Sequence, residues 1–334
     1  GHQNVHAGRG GLEELPLCRI STGGEEVGQD VVLIGGADQL THGQTHALGV
    51  VAGQDIAKVA GGHTELNGVA GLDGAGAQQL RIGGKVVDDL RYQTADIDGV
   101  GARKHSASGL QALGVTSLDA VVATHPHADH IGSMKQIIED YTIGTFYMPL
   151  LPDDQTPTTA TYENMLDALL DKNVQTEQIS TDTKISAPEN ANFAVLSPEK
   201  DEIFDNLNNY SAVLRFTYGN ISFMLTGDAE TEVEENILAR EADITSNVLK
   251  CGHHGSSTSS SMDFLRAVNP AVAVISCGQD NKYGHPHHET LESLSERNCK
   301  ILRTDTDGTV AVTTDGNTYS VYTWSAENGL SPAA

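Results

Sequence analysis

Ten residues, Val121-Val122-Ala123-Thr124-His125-Pro126-His127-Ala128-Asp129-His130, constrain this chain more than any other stretch. β-Branched residues run into three histidines and an aspartate within six positions, so a strand must end in a loop that presents four metal-ligating side chains together. In an extended loop, residues two apart point the same way. His125 and His127 can therefore close on one ion, while Asp129 and His130, shifted along the turn, face a second. Imidazole and carboxylate are the donors a borderline cation such as zinc selects, and an ordinary polar loop rarely has this spacing.

The sequence around this loop reads as a layered α/β arrangement. Leu110, Leu113 and Val115 make a short amphipathic turn ending at Gly114, and Leu118 to Ala123 forms a buried strand. A helix from Gly132-Ser133 carries Met134, Ile137 and Ile138 on one face, and Thr142 to Met148 is the next strand. Ala160 to Lys172 repeats Tyr162, Met165, Leu166, Leu169 and Leu170 at helical spacing, a face that packs on the sheet. Further strands are expected at Asn192 to Leu196, Ala212 to Tyr218, Ile221 to Thr226, Val248 to Lys250 and Ala271 to Ser276. Helices are expected at Ala229 to Arg240, from a Ser260 or Ser261 cap to Val268, and from Pro286 through Leu291 and Leu294. Thr309 to Thr313 and Thr318 to Tyr322 close as a hairpin, with Asp315-Gly316 predicting a type I′ turn, and Trp324 covers the sheet edge.

Four later stretches carry further chemistry: Leu225-Thr226-Gly227-Asp228-Ala229-Glu230, Lys250-Cys251-Gly252-His253-His254-Gly255-Ser256, Tyr283-Gly284-His285-Pro286-His287 and Leu302-Arg303-Thr304-Asp305. Adjacent histidines point in different directions, so one of His253 and His254 is expected on a metal and the other on a carboxylate or substrate. Asp228 could simply cap the helix that follows it. His288 is read as a solvated residue at a helix start.

Together with the ten-residue loop, these stretches resemble the metallo-β-lactamase fold superfamily, and within it the hydrolase domain of ComEC-type competence (DNA-uptake) proteins, over residues 108 to 323. The resemblance implies an α/β fold, the four-layer αβ/βα sandwich, with N-terminal strands atypical or missing. It implies two divalent metal ions, zinc with manganese as the alternative, held by His125, His127, Asp129, His130, Asp228 and His253 or His254. Asp228 would bridge ions about 3.5–4 Å apart. A metal-bound hydroxide, its pKa lowered from about 15.7 toward about 7, would then attack an ester. Asp129 would orient that nucleophile, and His285 would complete the second site or act as general acid. Ser256, His287 and Asn209 would line the substrate pocket. The expected substrate is a phosphodiester or other phosphoester, single-stranded DNA among them. The alternatives are a thioester, lactone or β-lactam hydrolase, or an inactive metal-binding fragment or pseudo-enzyme. No histidine lies between His130 and His253, so the first ion would have fewer protein ligands than in many relatives.

Composition bounds this picture. A formal charge of −25 with no Lys/Arg cluster argues against stable binding to long nucleic acid, although two cations would still receive a phosphate. No run approaches the roughly 18 apolar residues of a membrane span. Cys18, Cys251, Cys277 and Cys299 are too scattered for a disulfide framework and are read as free thiols. An extracellular or cell-surface setting is expected from the acidic surface and the resemblance, with a cytoplasmic one as the alternative.

Residues 1 to 107 differ in kind, holding 22 of the 35 glycines and no Phe, Trp or Met. So few large apolar groups bury too little surface to offset the entropy of ordering. Three readings are open: weak order, a Gly-rich β arrangement of its own, or a reading-frame artefact joined to the domain. Val27 to Ile34 is the one stretch that echoes the strands the resemblance implies there, and His42, His46 and His63 are given no role. The expected organisation is a Gly-rich segment 1–107, a hydrolase domain 108–324 and a dispensable tail 325–334.

Overall fold

The computed structural model describes residues 117–333 apart from 188–190, 280 and 326–328, together with the backbone of five strands between Val31 and Val86; Thr309 and residues 324–330 are described by backbone alone. The amphipathic turn at Leu110 to Val115 and His42 lie outside the described residues, as do the side chains of His46 and His63.

Strand Ser117–Ala123 shows why the chain builds layers. Its Ala120 and Val122 enter one buried cluster, and its Leu118, Val121 and Ala123 enter another. Side chains alternate across a strand, so a strand apolar on both faces must be covered on both. One side receives a second sheet through Phe193, Leu214, Phe216, Phe223 and Val274. The other receives helices Met134–Asp140 and Ala160–Asp171 through Met134, Ile137, Ile138, Tyr162 and Met165. The second sheet repeats the device: Val213, Met224, Leu249 and Ala273 face helices Thr231–Ala239, Met262–Val268 and His288–Glu296. The order helix, sheet, sheet, helix is the expected four-layer sandwich.

The nine-stranded sheet runs, edge to edge, Gly329–Pro332, Tyr319–Ser325, Thr309–Thr314, Val31–Gly35, Thr45–Gly53, Ile56–Thr64, Ser117–Ala123, Thr142–Met148 and Gln175–Gln178. The six-stranded sheet runs Lys300–Arg303, Val272–Ile275, Val248–Lys250, Ile221–Leu225, Val213–Tyr218 and Ala191–Ser197. A separate pair joins Arg81–Ile82 to Lys85–Val86. The N-terminal strands are thus atypical rather than missing: at the backbone level Val31–Gly35 pairs parallel with Thr309–Thr314, and Ile56–Thr64 pairs antiparallel with Ser117–Ala123.

Four details differ from the sequence reading. Leu170 is 78% exposed, because it lies about 140° round the helix from buried Met165. Gln175–Gln178 is a strand with every residue exposed, an edge with no apolar pattern to announce it. The Asp315-Gly316 turn is a four-residue loop between Thr314 and Tyr319, not a type I′ turn. Among its residues only Gly316 has positive φ, and the Asp315 carboxylate accepts from the Asn317 and Thr318 amides. The tail, expected to be dispensable, supplies strand Gly329–Pro332 alongside Tyr319–Ser325, and the Trp324 side chain lies outside the described residues.

Phe216 is fully buried between Phe193, with ring centroids 4.7 Å apart, and Phe223, 5.7 Å away. Phe216→Ala is expected to destabilise the domain by about 3–5 kcal/mol, and Leu170→Ser by less than about 0.5 kcal/mol, in denaturant melts. Equal effects would contradict the layer assignment.

Candidate metal centre

Register brings the site together. In the six-stranded sheet, Leu225, Lys250, Val274 and Leu302 lie side by side on parallel strands. Asp228 and His253 each follow three residues beyond that rung, and His254 one further. From the other sheet, strand Ser117–Ala123 delivers His125 to His130, and the Ala212 amide donates to the Thr124 carbonyl (2.9 Å) across the gap. The chemistry therefore collects at the carboxyl ends of strands, where loops are free to vary over a rigid frame.

Asp228 is the hub. Its Oδ2 lies 3.1 Å from His130 Nε2, 3.6 Å from His254 Nε2, 3.8 Å from His253 Nε2 and 3.9 Å from His125 Nε2. It is no helix cap: the helix begins at Thr231 with Glu230 at the cap position, and the Asp228 amide donates to Ser211 Oγ (2.9 Å). A second group joins Asp129 to His130 and His254, each 3.6 Å from Asp129 Oδ2. His130 stands in both groups, so the division of ligands is less simple than the loop spacing suggested. His127 approaches through His125, with Nδ1 3.0 Å from His125 Nε2.

Both adjacent histidines reach the Asp228 carboxylate, contrary to the expectation that they diverge. They do so because His253 (φ 46°) and His254 (φ 55°) both adopt left-handed backbone, costing about 1–2 kcal/mol each. The following Gly255 (φ 82°) lets the His285 loop close in: a Cβ there would stand 2.6 Å from Pro286 Cβ. The two histidines then differ in their second nitrogen. His254 Nδ1 donates to the Ser276 carbonyl (2.8 Å), which fixes the tautomer and leaves Nε2 facing Asp129 and Asp228. His253 Nδ1 meets Glu230 Oε1 (3.3 Å) and Thr258 Oγ1 (3.2 Å).

Electrostatics follow from these distances. Burial alone would raise Asp129 and Asp228, but His130 and His254 hold both carboxyls below the usual range. Burial opposes a charge on His254, yet Asp228 and Asp129 raise its pKa. Burial lowers His127. Burial, then His254 and His253, push His285 down to about 4, so at neutral pH it is an uncharged imidazole of weak basicity, with a lone pair open to a cation.

The donor set fits divalent cations. The buried Asp228 Oδ1 and His254 Nε2 have no hydrogen-bond partner, an arrangement that is costly unless a cation completes it. Around tetrahedral zinc with bonds of about 2.0–2.1 Å, neighbouring donors lie about 3.4 Å apart, which the contacts around Asp228 and Asp129 bracket.

The three residues expected to line the substrate pocket are otherwise engaged. Asn209 is buried, accepting from the Glu230 amide (3.0 Å) and donating to Glu232 (2.8 Å). Ser256 is buried and accepts from the Thr258 amide (3.3 Å) in a turn. His287 accepts from the Ser257 amide at Nδ1 (3.0 Å), so its Nε2 donates to the Tyr283 carbonyl (3.2 Å) and ties two rim loops together. All three brace loops. His288 is exposed beside Glu292, as expected of a solvated residue. Cys251, Cys277 and Cys299 are free and buried.

Glu230, to which the sequence motif assigns no role, accepts from Asn206, Asn208 and Thr258 while holding His253. A carboxylate two residues past Asp228 was the available signal. Glu230→Gln is expected to weaken metal binding roughly tenfold to a hundredfold in a competition titration, with the circular dichroism spectrum unchanged. Unaltered affinity would mean that backbone alone aims His253.

The Metallo-beta-lactamase superfamily model matches residues 93–279, more than half of the chain. The chain belongs to the metallo-beta-lactamase superfamily. Among curated proteins this superfamily member is 33% identical over 219 residues to ComE operon protein 3 of Bacillus subtilis (strain 168), covering 64% of this chain and 27% of that one. It is 40% identical over 117 residues to Competence protein ComA of Neisseria gonorrhoeae, covering 35% and 17%. Both likenesses are to ComEC-like competence proteins, and the chain spans about a quarter or less of their length. Among solved structures it is similar to Igni18, a metallo hydrolase from Ignicoccus hospitalis, at 14% identity and a TM-score of 0.38, covering 62% of this chain and 80% of that one, a superposition too loose to add to the assignment. Among the described residues no helix is long and apolar enough to cross a membrane.

Proposed function

We propose that this domain, with the strands from residues 31–64 in its larger sheet, is a metal-dependent hydrolase acting on phosphodiesters or other phosphoesters, single-stranded DNA among them, in an extracellular or cell-surface setting. The observation that carries this reading is the convergence of His125, His130, His253 and His254 on one buried carboxylate, Asp228, with Asp129 set between His130 and His254. His125, His127, Asp129, His130, Asp228, His253 and His254 would hold two divalent ions, zinc before manganese. Bound there, such ions supply the Lewis acidity that makes water nucleophilic at neutral pH and draws charge from the scissile ester.

The chain's own groups do the rest. Asp129, ionised and 42% exposed at its side chain, faces the open side and orients the incoming water through its carboxylate. The His254 Nδ1–H donates to the Ser276 carbonyl, which keeps the ring from rotating. His285, neutral and half-buried, would complete the second site or contact the leaving group. The charge of −25 gives no long-range pull on a polyanion, which fits local capture of a phosphate at the ions better than tracking along a strand.

The test sets bis-p-nitrophenyl phosphate against nitrocefin and an acyl thioester, with Zn²⁺ or Mn²⁺ added. Turnover of the phosphodiester alone is expected, lost on chelation and in His127→Ala and Asp129→Ala proteins that keep a native circular dichroism spectrum. Faster turnover of the thioester or nitrocefin would move the chemistry to carbonyl esters and amides. Bound metal without turnover of any of the three would make the chain a pseudo-enzyme.

A further inference from the structure

Three rings step outward from the metal centre. His254 stacks on His285, with centroids 6.3 Å apart and planes 21° apart, and His285 stacks on Tyr283 at 5.7 Å and 21°. The His254 side chain is 12% exposed, His285 is half-buried and Tyr283 is 59% exposed, so the series runs from the ligands to solvent. The other large hydrophobic side chains exposed among the described residues are Leu150, Leu170 and Ile203, none of them a ring.

The loop that carries it is held in shape. Asn281 Nδ2 donates to the carbonyls of Gly278 (2.9 Å) and His285 (2.6 Å), and its Oδ1 accepts from the His285 amide (3.0 Å). The Tyr283 carbonyl is tied to His287. Lys282 sets its ammonium 5.1 Å from the centre of the Tyr283 ring, a positive charge beside a π-face in a chain of net charge −25. An aromatic group joined to a phosphate would meet both partners at once, with the phosphate directed inward past His285.

We propose that Tyr283, with Lys282 beside it, is a stacking platform for the base of a nucleotide next to the scissile phosphate. This rests on the phosphodiester reading above. Stacking needs no net attraction between chain and polyanion, which suits so acidic a protein, and each stacked base is worth roughly tenfold to a hundredfold in affinity. A base held in a duplex offers no free face, hence the single strand.

The test is competition binding to Zn²⁺-loaded full chain, using a slowly hydrolysed phosphorothioate dinucleotide and its abasic counterpart. The wild-type protein is expected to prefer the base-bearing ligand by about tenfold or more. Tyr283→Ala should bring that ratio near one, and Tyr283→Phe should keep it. Because each ratio is internal to one protein, a general loss of fold cannot imitate the result. No base preference in the wild type, or one that survives Tyr283→Ala, would overturn the platform. Hydrolysis of the unmodified dinucleotide is followed separately. Tyr283-dependent binding without turnover would fail the phosphodiester reading and leave the platform standing, and turnover without base preference would do the reverse.

Discussion

Asp228→Ala protein is expected to retain less than half the metal of the wild type after dialysis and to lose activity by on the order of a thousandfold. The magnitude follows from its position: its Oδ2 faces four imidazoles, and removing it takes away the one carboxylate that both donor groups can share. The Lewis acidity of a metal site is worth several kcal/mol, and each 1.4 kcal/mol is about tenfold in rate. The metal-free variant should also behave differently from the metal-free wild type, because two buried and two half-buried histidines lose their counter-charge. Plasma emission for metal content and thermal melts for the metal-free forms check both parts. Full metal retention would remove Asp228 from the centre of the site.

Metal-free and metal-loaded protein are expected to respond to pH with opposite slopes. His254 is raised above its unfolded value near 6.5 by Asp228 and Asp129 against the opposing effect of burial. A raised base stabilises the metal-free fold fully below about pH 6.5, and that contribution fades as pH rises through the higher folded value. Metal needs the same nitrogen bare, so the stabilisation from added Zn²⁺ should grow over the same interval. Asp129 and Asp228 are depressed, so their contributions persist above about pH 3.9 and fail only in stronger acid, outside this window. Melts with and without Zn²⁺ between about pH 5.5 and 8.5 would show it, and His254→Gln should flatten the metal-free slope. Parallel slopes would mean that His254 carries no such proton.

The layers were legible because the buried strands carry the two-residue period on both faces. Val121 against Val122, and Met224 against Phe223, declare that something covers each side. The ligand loop was legible because HxHxDH spacing has few other uses. Gln175–Gln178 was not legible, since a fully exposed edge strand has no apolar residues to count. The loop-bracing roles of Asn209, Ser256 and His287 were equally hidden. Their partners are amides and a carbonyl of neighbouring loops and, for Asn209, the Glu232 carboxylate, none of which residue spacing declares. Both histidines of the pair reach Asp228 through left-handed backbone that no side-chain pattern specifies.

The shared rung at Leu225, Lys250 and Val274 has a consequence for how the protein can be altered. Each donor hangs a fixed, short count beyond its strand, so deleting one residue between Lys250 and His253 retracts that imidazole by about one residue rise, roughly 3.3 Å, well outside bonding reach. Lengthening the exposed connections at the opposite ends of the same strands leaves the count untouched. Insertions for labels, tethers or fused modules belong at that far end, where the molecule can grow without its centre noticing.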